Sequence, residues 1–429
     1  MCHFRLVSAL VRNALPLAAA AGAALLAGCG GGGGAAAPPA ASAASGTAVP
    51  AQLQIPAGFA VSVIANVGAA RELAALPNGD LLVGTLGSAI VLVPSADAAV
   101  SPQAPRKFAT LSDDNAQSVT YGPDGNVYAA TEHAVWRIGY SAGATAGGPI
   151  ARIAGVRSGP VSPTTDGDIH TTTSIAISGS SLYAGVGSSC DACVEVDPTR
   201  ASVQQMALDG SGMTTKAKNI RNAIALAVDP TTHDVWAGGA GQDKLAFGHP
   251  YETLDPVSTH AGVADYGWPV CYEDAVAVPG TSAAACAAMT VSQIAMPAYA
   301  TLIGAAFYPP NAGDAGAAYA FPASYRGGLF VSMHGSWHTN PDGTSAAVPQ
   351  VAYVPFTGGH PAIPVNWSDP TAQWKPFFTN FGTTATNRVG RPTGLAVGPL
   401  GSLFVADDLS GNIYRIRPAT AAPQARDRR

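Results

Sequence analysis

One phrase recurs six times along this chain and limits what it can fold into. It is an apolar stretch, a turn rich in Gly, Asp or Asn, then a second apolar stretch. It runs from Leu73 to Val83 through Asn78-Gly79-Asp80, and from Val119 to Ala129 through Asp124-Gly125-Asn126. Ser174–Ala184 is the third copy, and Ile224–Ala237 is a fourth with a longer turn. The fifth is split, with Gly304–Tyr308 resuming at Tyr325–Val331, and Gly394–Val405 is the sixth. Asn-Gly and Asp-Gly tolerate the positive φ of tight hairpins. The flanking β-branched and aromatic residues suit buried strands. A hairpin unit repeated along one chain is the mark of a β-propeller, whose blades stack around an axis. Six copies predict an all-β chain with six blades. Two separate β-domains are the alternative.

Composition narrows the function. Charged residues make up 11% of the chain, against roughly 25% in an average soluble domain. The formal net charge is -5, the wrong sign for a nucleic-acid binder, which must neutralise phosphates. Hydrophobic residues reach 47%, enough for a sizeable core. Beyond the N-terminus no apolar run lacks Gly, Pro or polar breaks over the roughly 18 residues a membrane span needs. A polytopic membrane protein is therefore excluded.

The N-terminus reads as an export signal over residues 1–28. Arg5 and Arg12 precede an apolar stretch from Leu15 to Leu26, too short to span a bilayer. It ends in Leu26-Ala27-Gly28-Cys29, which resembles a bacterial lipobox, so Cys29 is the expected lipidation site and the membrane anchor. Residues 29–50 are Gly, Ala and Pro rich and read as a flexible tether. The propeller is expected over 51–420, with a polar tail at 421–429. Gly28 to Gly33 matches a dinucleotide fingerprint in form only, because no strand precedes it and no helix follows.

Cys190, Cys193, Cys271 and Cys286 remain after the signal and anchor. An even number in an exported chain points to two disulfides. The local pairs Cys190–Cys193 and Cys271–Cys286 are favoured, with the two other connectivities open. Val194 follows Cys193, so the pair is no haem attachment site. It also follows a strand rather than opening a helix, which disfavours a redox-active CxxC.

Several segments resemble the glucose/sorbosone dehydrogenase family, six-bladed propeller enzymes that use pyrroloquinoline quinone (PQQ). They are Ile55-Pro-Ala-Gly-Phe59, His170 with Gly187-Ser-Ser-Cys190, Asn219-Ile-Arg-Asn-Ala223 and Asp265-Tyr-Gly-Trp-Pro269. Tyr325 through Trp337, Gly390-Arg-Pro-Thr-Gly394 and Gly411-Asn-Ile-Tyr-Arg415 complete the series. The likeness covers most of residues 55–418 and is nearer to the sorbosone-type branch. It implies PQQ, calcium, and oxidation of an aldose or sorbosone-type sugar by hydride transfer to PQQ. It also implies an electron acceptor, a cytochrome or a quinone, that this chain does not encode. With the export signal, it implies an enzyme lipid-anchored on the periplasmic side of a bacterial membrane.

The resemblance also assigns roles. PQQ carries three carboxylates and an ortho-quinone, so its site needs cations and a base. His170 is the expected general base, since imidazole titrates near neutrality. Relatives commonly place an Arg three residues later, where this chain has Thr173. Arg221 is expected to meet PQQ with Asn222 and to steady developing negative charge. Arg71, Arg391 and His334 are further expected cofactor contacts. Asp243 and Glu252 are the candidate calcium ligands, on a loop with fewer acids than relatives carry. Two other readings stand beside this one: a propeller lactonase or other hydrolase, and a non-catalytic carbohydrate-binding lipoprotein.

Overall fold

The computed structural model describes residues 48–98, 101–158, 170–312 and 316–419. The expected export signal, Cys29 anchor and polar tail, and nearly all of the expected tether, lie outside the described residues.

Six sheets form the blades, each built on four antiparallel strands, with a fifth strand added to one of them. Blade 1 comprises Ala70–Ala75, Leu81–Thr85, Ala89–Val93 and Arg106–Thr110. Blade 2 comprises Ser118–Tyr121, Val127–Ala130, Ala134–Ile138 and Ile150–Gly155. Blade 3 comprises Thr173–Ser178, Ser181–Val186, Ser202–Ala207 and Thr214–Lys218. Blade 4 comprises Ala223–Val228, Val235–Gly239, Glu252–Asp255 and Ile294–Met296. Blade 5 comprises Leu302–Phe307, Leu329–Met333, Gln350–Val354 and Lys375–Phe378. Blade 6 comprises Pro392–Val397, Leu403–Asp407, Asn412–Pro418 and, from the other end of the chain, Phe59–Asn66. Helical structure among the described residues is limited to three short 3-10 turns.

Each copy of the sequence phrase forms the first two strands of one blade, so the predicted six-bladed propeller stands. The closure was not predicted. Phe59–Asn66 pairs antiparallel with Asn412–Pro418, which joins the chain's two ends and gives blade 6 its fourth, outer strand. Phe59 locks this strand against blade 5, its ring 4.6 Å from Phe321 and 5.3 Å from Phe377 between centroids.

The first strand of every blade lines the axis and packs on the first strands of its neighbours. Small residues permit that approach. A Cβ on Gly185 of blade 3 would sit 1.9 Å from the carbonyl oxygen of Ala223 in blade 4. On Gly394 of blade 6 it would sit 2.3 Å from the carbonyl oxygen of Arg71 in blade 1. The blades close into a ring at these contacts, and the core lies between blades rather than at one centre.

Both favoured disulfides form. Cys190–Cys193 closes a loop after the second strand of blade 3. Cys271–Cys286 braces an insertion between the last two strands of blade 4. That insertion also lays Ala264–Asp265 parallel to Thr214–Lys218, as a fifth strand on blade 3.

Because Gly185 meets backbone, which cannot turn aside, Gly185→Ala is expected to lower stability by about 1–3 kcal/mol or more. Equilibrium denaturation checks this. A variant as stable as the parent would show that the blades are not tightly packed here.

Candidate active site

In each blade the start of the first strand pairs with the end of the second. The pairs include Ala70 with Thr85, Thr173 with Val186, Ala223 with Gly239, Leu302 with Met333 and Pro392 with Asp407. Segments that precede a first strand and follow a second strand therefore share one face. Arg71, His170, Arg221, Asn222 and Arg391 sit at or just before first strands. Asp243 and His334 follow second strands. The fold brings together on this face the residues that the sequence scattered. In blades 1, 4, 5 and 6 the pairing slips a register near this end. Such bulges re-aim side chains.

His170 is oriented by a residue the sequence reading missed. Its Nδ1 lies 2.9 Å from Ser188 Oγ and 3.2 Å from Ser188 O. Ser188 Oγ already donates its hydrogen to Cys190 O at 2.7 Å. Both oxygens facing Nδ1 are thus acceptors, so Nδ1 carries the proton and the ring's lone pair lies on Nε2. Arg200, its side chain fully buried, donates Nη2 to His170 O at 3.2 Å and Ser188 O at 2.8 Å. Burial lowers the Arg200 pKa, and nearby Glu195 and Asp197 oppose this. The phrase Gly187-Ser188 held the signal. A Cβ on Gly187 would strike His170 Cβ at 2.4 Å and Asn222 Oδ1 at 2.7 Å, so His170 and Asn222 flank a residue that must be small. Thr173 is fully buried, and its hydroxyl bonds that of Ser158.

Arg221 and Asn222 are both buried. Arg221 Nη2 pairs with Asp191 Oδ1 at 3.1 Å and Asp243 Oδ2 at 3.3 Å, and its Nε donates to Asp191 O at 3.1 Å. Asp243 in turn accepts His338 Nε2 at 3.0 Å. Asp191 was also missed: its backbone oxygen takes a second donor, Trp268 Nε1, at 3.0 Å.

Across the face, Arg71 pairs with Asp408 at 3.0 Å, and Asp408 accepts His334 Nε2 at 2.9 Å. Burial pushes His334 down to about 4, so its ring is neutral near pH 7 and donates from Nε2. Burial alone would raise Asp408, but the His334 hydrogen bond and the Arg71 charge hold it below its ordinary value. His334 is therefore a hydrogen-bonding group here, not a cation. Trp337, nearby in sequence, is 73% exposed and stacks on His338.

Arg391 differs from Arg71 and Arg221. Its guanidinium donates to two carbonyls, His334 O at 2.9 Å and Gly335 O at 2.6 Å, and among the described residues it meets no carboxylate within ion-pair distance. Burial lowers it to about 10, and the like charge of Arg388 adds to this, yet it stays protonated at neutral pH. Arg388, also missed, bonds Ser336 O and, at 2.7 Å, Ser345 Oγ. Arg388 Nε and Ser336 Oγ are buried with no partner among the described residues. Two guanidiniums without carboxylate partners and two orphaned polar atoms make a donor set that fits an anionic cofactor with several carboxylates.

The calcium candidates do not make a comparable set. Glu252 accepts Gly241 N at 2.6 Å and Thr301 N at 3.3 Å. Burial pushes its pKa up to about 8, so it holds a proton at neutral pH. The two oxygens of Asp243 are taken by Arg221 and His338. A hard cation would have to displace those bonds.

A cavity of about 300 Å³ lies along the axis, lined by first strands of all six blades. Its one lining carboxyl belongs to Glu72, whose Oε1 has no hydrogen-bond partner.

A family model described as TrAA12-like matches residues 53–419. The chain belongs to this family. Among solved structures, the holo PQQ domain of pyranose dehydrogenase from Coprinopsis cinerea superposes with a TM-score of 0.71 at 17% identity. That match covers 85% of this chain and 97% of that one. The calcium structure of a Trichoderma reesei family AA12 enzyme gives 0.68 at 17%, covering 86% and 97%. The PQQ-bound aldose sugar dehydrogenase of Streptomyces coelicolor gives 0.55 at 17%, covering 85% and 99%. At these identities the likenesses show the propeller fold. No curated protein matches the chain.

The Glu72 carboxyl generates a prediction. Burial raises its pKa from 4.5 to about 8, with the Arg71 charge opposing. Between those values the folded state holds a proton that the unfolded state has released. Stability therefore falls as pH rises from 4.5 towards 8. Glu72→Gln is expected to flatten that fall and to be the more stable form at the alkaline end. Denaturation series on both proteins across this range check it. Parallel curves would show that Glu72 is not held neutral.

Proposed function

We propose that this TrAA12-like chain is a PQQ-dependent sugar dehydrogenase that oxidises an aldose or sorbosone-type sugar. The observation that carries the reading is the fixed tautomer of His170. With Nδ1–H held by Ser188, Nε2 is the nitrogen that takes the sugar hydroxyl proton as the carbon is oxidised. PQQ, when bound, supplies the two-electron acceptor. Arg391 and Arg388 would hold its carboxylates, since their charges meet carbonyls rather than acids. Asn222 would sit between this group and His170. Arg221 would steady negative charge that develops on oxygen, although Asp191 and Asp243 already balance much of its own. His334 would orient a neighbour through a neutral hydrogen bond. The exposed Trp337 offers an apolar plate against which a sugar ring can stack. Calcium is left out of this mechanism, because Asp243 and Glu252 are committed elsewhere.

The Coprinopsis structure is the PQQ domain of a pyranose dehydrogenase and the Streptomyces structure is a PQQ-bound aldose sugar dehydrogenase, which supports the reading. The lipobox at Cys29 supports placement on the periplasmic side of a membrane by a lipid anchor. The two electrons taken from the sugar would pass on to a separate acceptor.

The deciding experiment loads the purified protein with PQQ, with and without calcium, and offers aldoses and sorbosone with an artificial dye. Sugar-dependent dye reduction is expected. His170→Ala should lower its kcat by about 10²–10⁴-fold, the usual worth of a general base. Failure to bind PQQ would overturn the reading. Lactone hydrolysis without PQQ would replace it with the hydrolase.

A separate outcome concerns the cofactor. Arg391→Met should weaken PQQ binding by at least about tenfold, the loss of one charge-assisted hydrogen-bond pair. Titration followed by PQQ absorbance or protein fluorescence measures this. Unchanged affinity would remove Arg391 from the cofactor site.

A further inference from the structure

The loop after the second strand of blade 3 touches both sides of the candidate site. Ser188 faces the ring of His170, and Asp191 faces the guanidinium of Arg221. Asp191 O accepts Arg221 Nε and Trp268 Nε1, and Asp191 Oδ1 accepts the amide of Asp243 at 2.8 Å. Between these two residues stands Cys190, whose carbonyl takes the hydrogen of the Ser188 hydroxyl. That bond sets what the hydroxyl offers His170. While Cys190 O holds the hydrogen, Ser188 Oγ is an acceptor for Nδ1–H. Once released, the hydroxyl can turn and donate to Nδ1. A neutral ring then carries its proton on Nε2 and has no lone pair there.

Cys190 belongs to no strand or helix. Its side chain is buried with Ala201 and Trp268, and its sulfur is bonded to that of Cys193. The two residues are three positions apart, and the geometry of a disulfide is specific. So small a covalent ring passes that constraint to its own backbone, the Cys190 carbonyl included. We propose that the Cys190–Cys193 disulfide is a positioning element of the active site: it holds Cys190 O on the Ser188 hydroxyl, keeps the lone pair of His170 on Nε2, and weakens the base when a dithiol opens it.

The catalytic consequence rests on the function proposed above, whereas the hold on the tautomer does not. Access favours this bond over the other. Cys193 is half-buried between the exposed Ala192 and Val194, while Cys271 and Cys286 are both buried. On opening, two electrons and two protons pass from the dithiol to the sulfur pair. The products are two cysteine thiols and the reductant's own disulfide. Asp191 still ties the loop to Arg221 and Trp268, and Ser188 O still accepts from Nδ1 at 3.2 Å. Opening therefore shifts the tautomer without undoing the loop. The expected loss is about tenfold, the worth of one hydrogen bond.

Full-length protein labelled with ¹⁵N-histidine and free of PQQ is the probe, before and after dithiol treatment. His170→Gln assigns the His170 signals by their loss. The oxidised form should show Nδ1–H, and the reduced form a mixture with Nε2–H. Cys190→Ala/Cys193→Ala should show the same mixture with Cys271–Cys286 intact, and thermal melting checks that it folds. If it does not, Cys193→Ala alone and the reduced parent carry the same readout. Ser188→Ala has no hydroxyl to turn, so its tautomer should not respond to dithiol. In PQQ-loaded protein the double variant should lose about tenfold in kcat, with little change in the sugar KM. An unchanged tautomer once the bond is open overturns the proposal, and so does an equal shift in Ser188→Ala. A shifted tautomer with parental kcat overturns the catalytic role and spares the dehydrogenase. A shifted tautomer in a protein that oxidises no sugar keeps the disulfide's hold on His170 and overturns the function it serves.

Discussion

The pairing of Phe59–Asn66 with Asn412–Pro418 is the contact on which the rest of this molecule depends. A propeller has no single core. Each blade buries its faces against two neighbours, so an unclosed ring would expose two of them at once. Here the chain's beginning supplies the outer strand of its last blade. Backbone hydrogen bonds hold that strand in register, and the Phe59 cluster fixes it to blade 5. Closing the ring costs the entropy of joining distant parts of the chain. It is offset by the burial of every blade interface together.

Closure also explains why the candidate site exists. The start of each first strand and the end of each second strand are adjacent by hydrogen-bond register alone. Once six such ends converge, residues far apart in sequence become neighbours. Polar contacts then run around the face, most of them from blade to blade: Arg71 to Gln117, Gln117 to Ser174, Arg221 to Asp243 within blade 4, Asp243 to His338, His334 to Asp408, and Asp408 back to Arg71. In a chain with few charges, how each one is balanced decides what the face can bind. Arg71 and Arg221 are paired with carboxylates and contribute little net field. Arg391 and Arg388 meet neutral acceptors and leave positive potential in a half-buried place, the condition for holding an anion.

The blades were legible because each depends on a local hairpin with its own turn chemistry. Copies such as Val119–Ala129 carry strand, Asp-Gly turn and strand within one short segment. The closing strand carried no such signal, since its partner lies at the other end of the chain. The site was legible in part. His170, Arg221 and Arg391 stood out through family-like phrases and the scarcity of charge. Ser188 and Arg200 did not, because their roles arise from contacts to backbone oxygens that no residue pattern encodes. Gly187 offered the nearest clue, since a glycine beside two candidate residues implies a close approach. His334 was legible as a candidate contact, but its neutral state is set by burial, a property of packing.

The acids show the same division. Sequence can say that Asp243 and Glu252 lie on one loop, but not what they face. Glu252 is buried beneath the loop, and two backbone amides occupy it. In that place the carboxyl acts as a strut. It ties Gly241, next to the Arg221 partner Asp243, to Thr301 at the entry to blade 5. Thr301 also accepts the amide of His334. One neutral carboxyl thus fixes the spacing between the guanidinium side of the face and the histidine side. A charged carboxylate would gain from a cation but would pay for burial, and the protein avoids that cost by keeping the proton. The positions of Arg221 and His334 are therefore set from below by a group that need never touch a ligand.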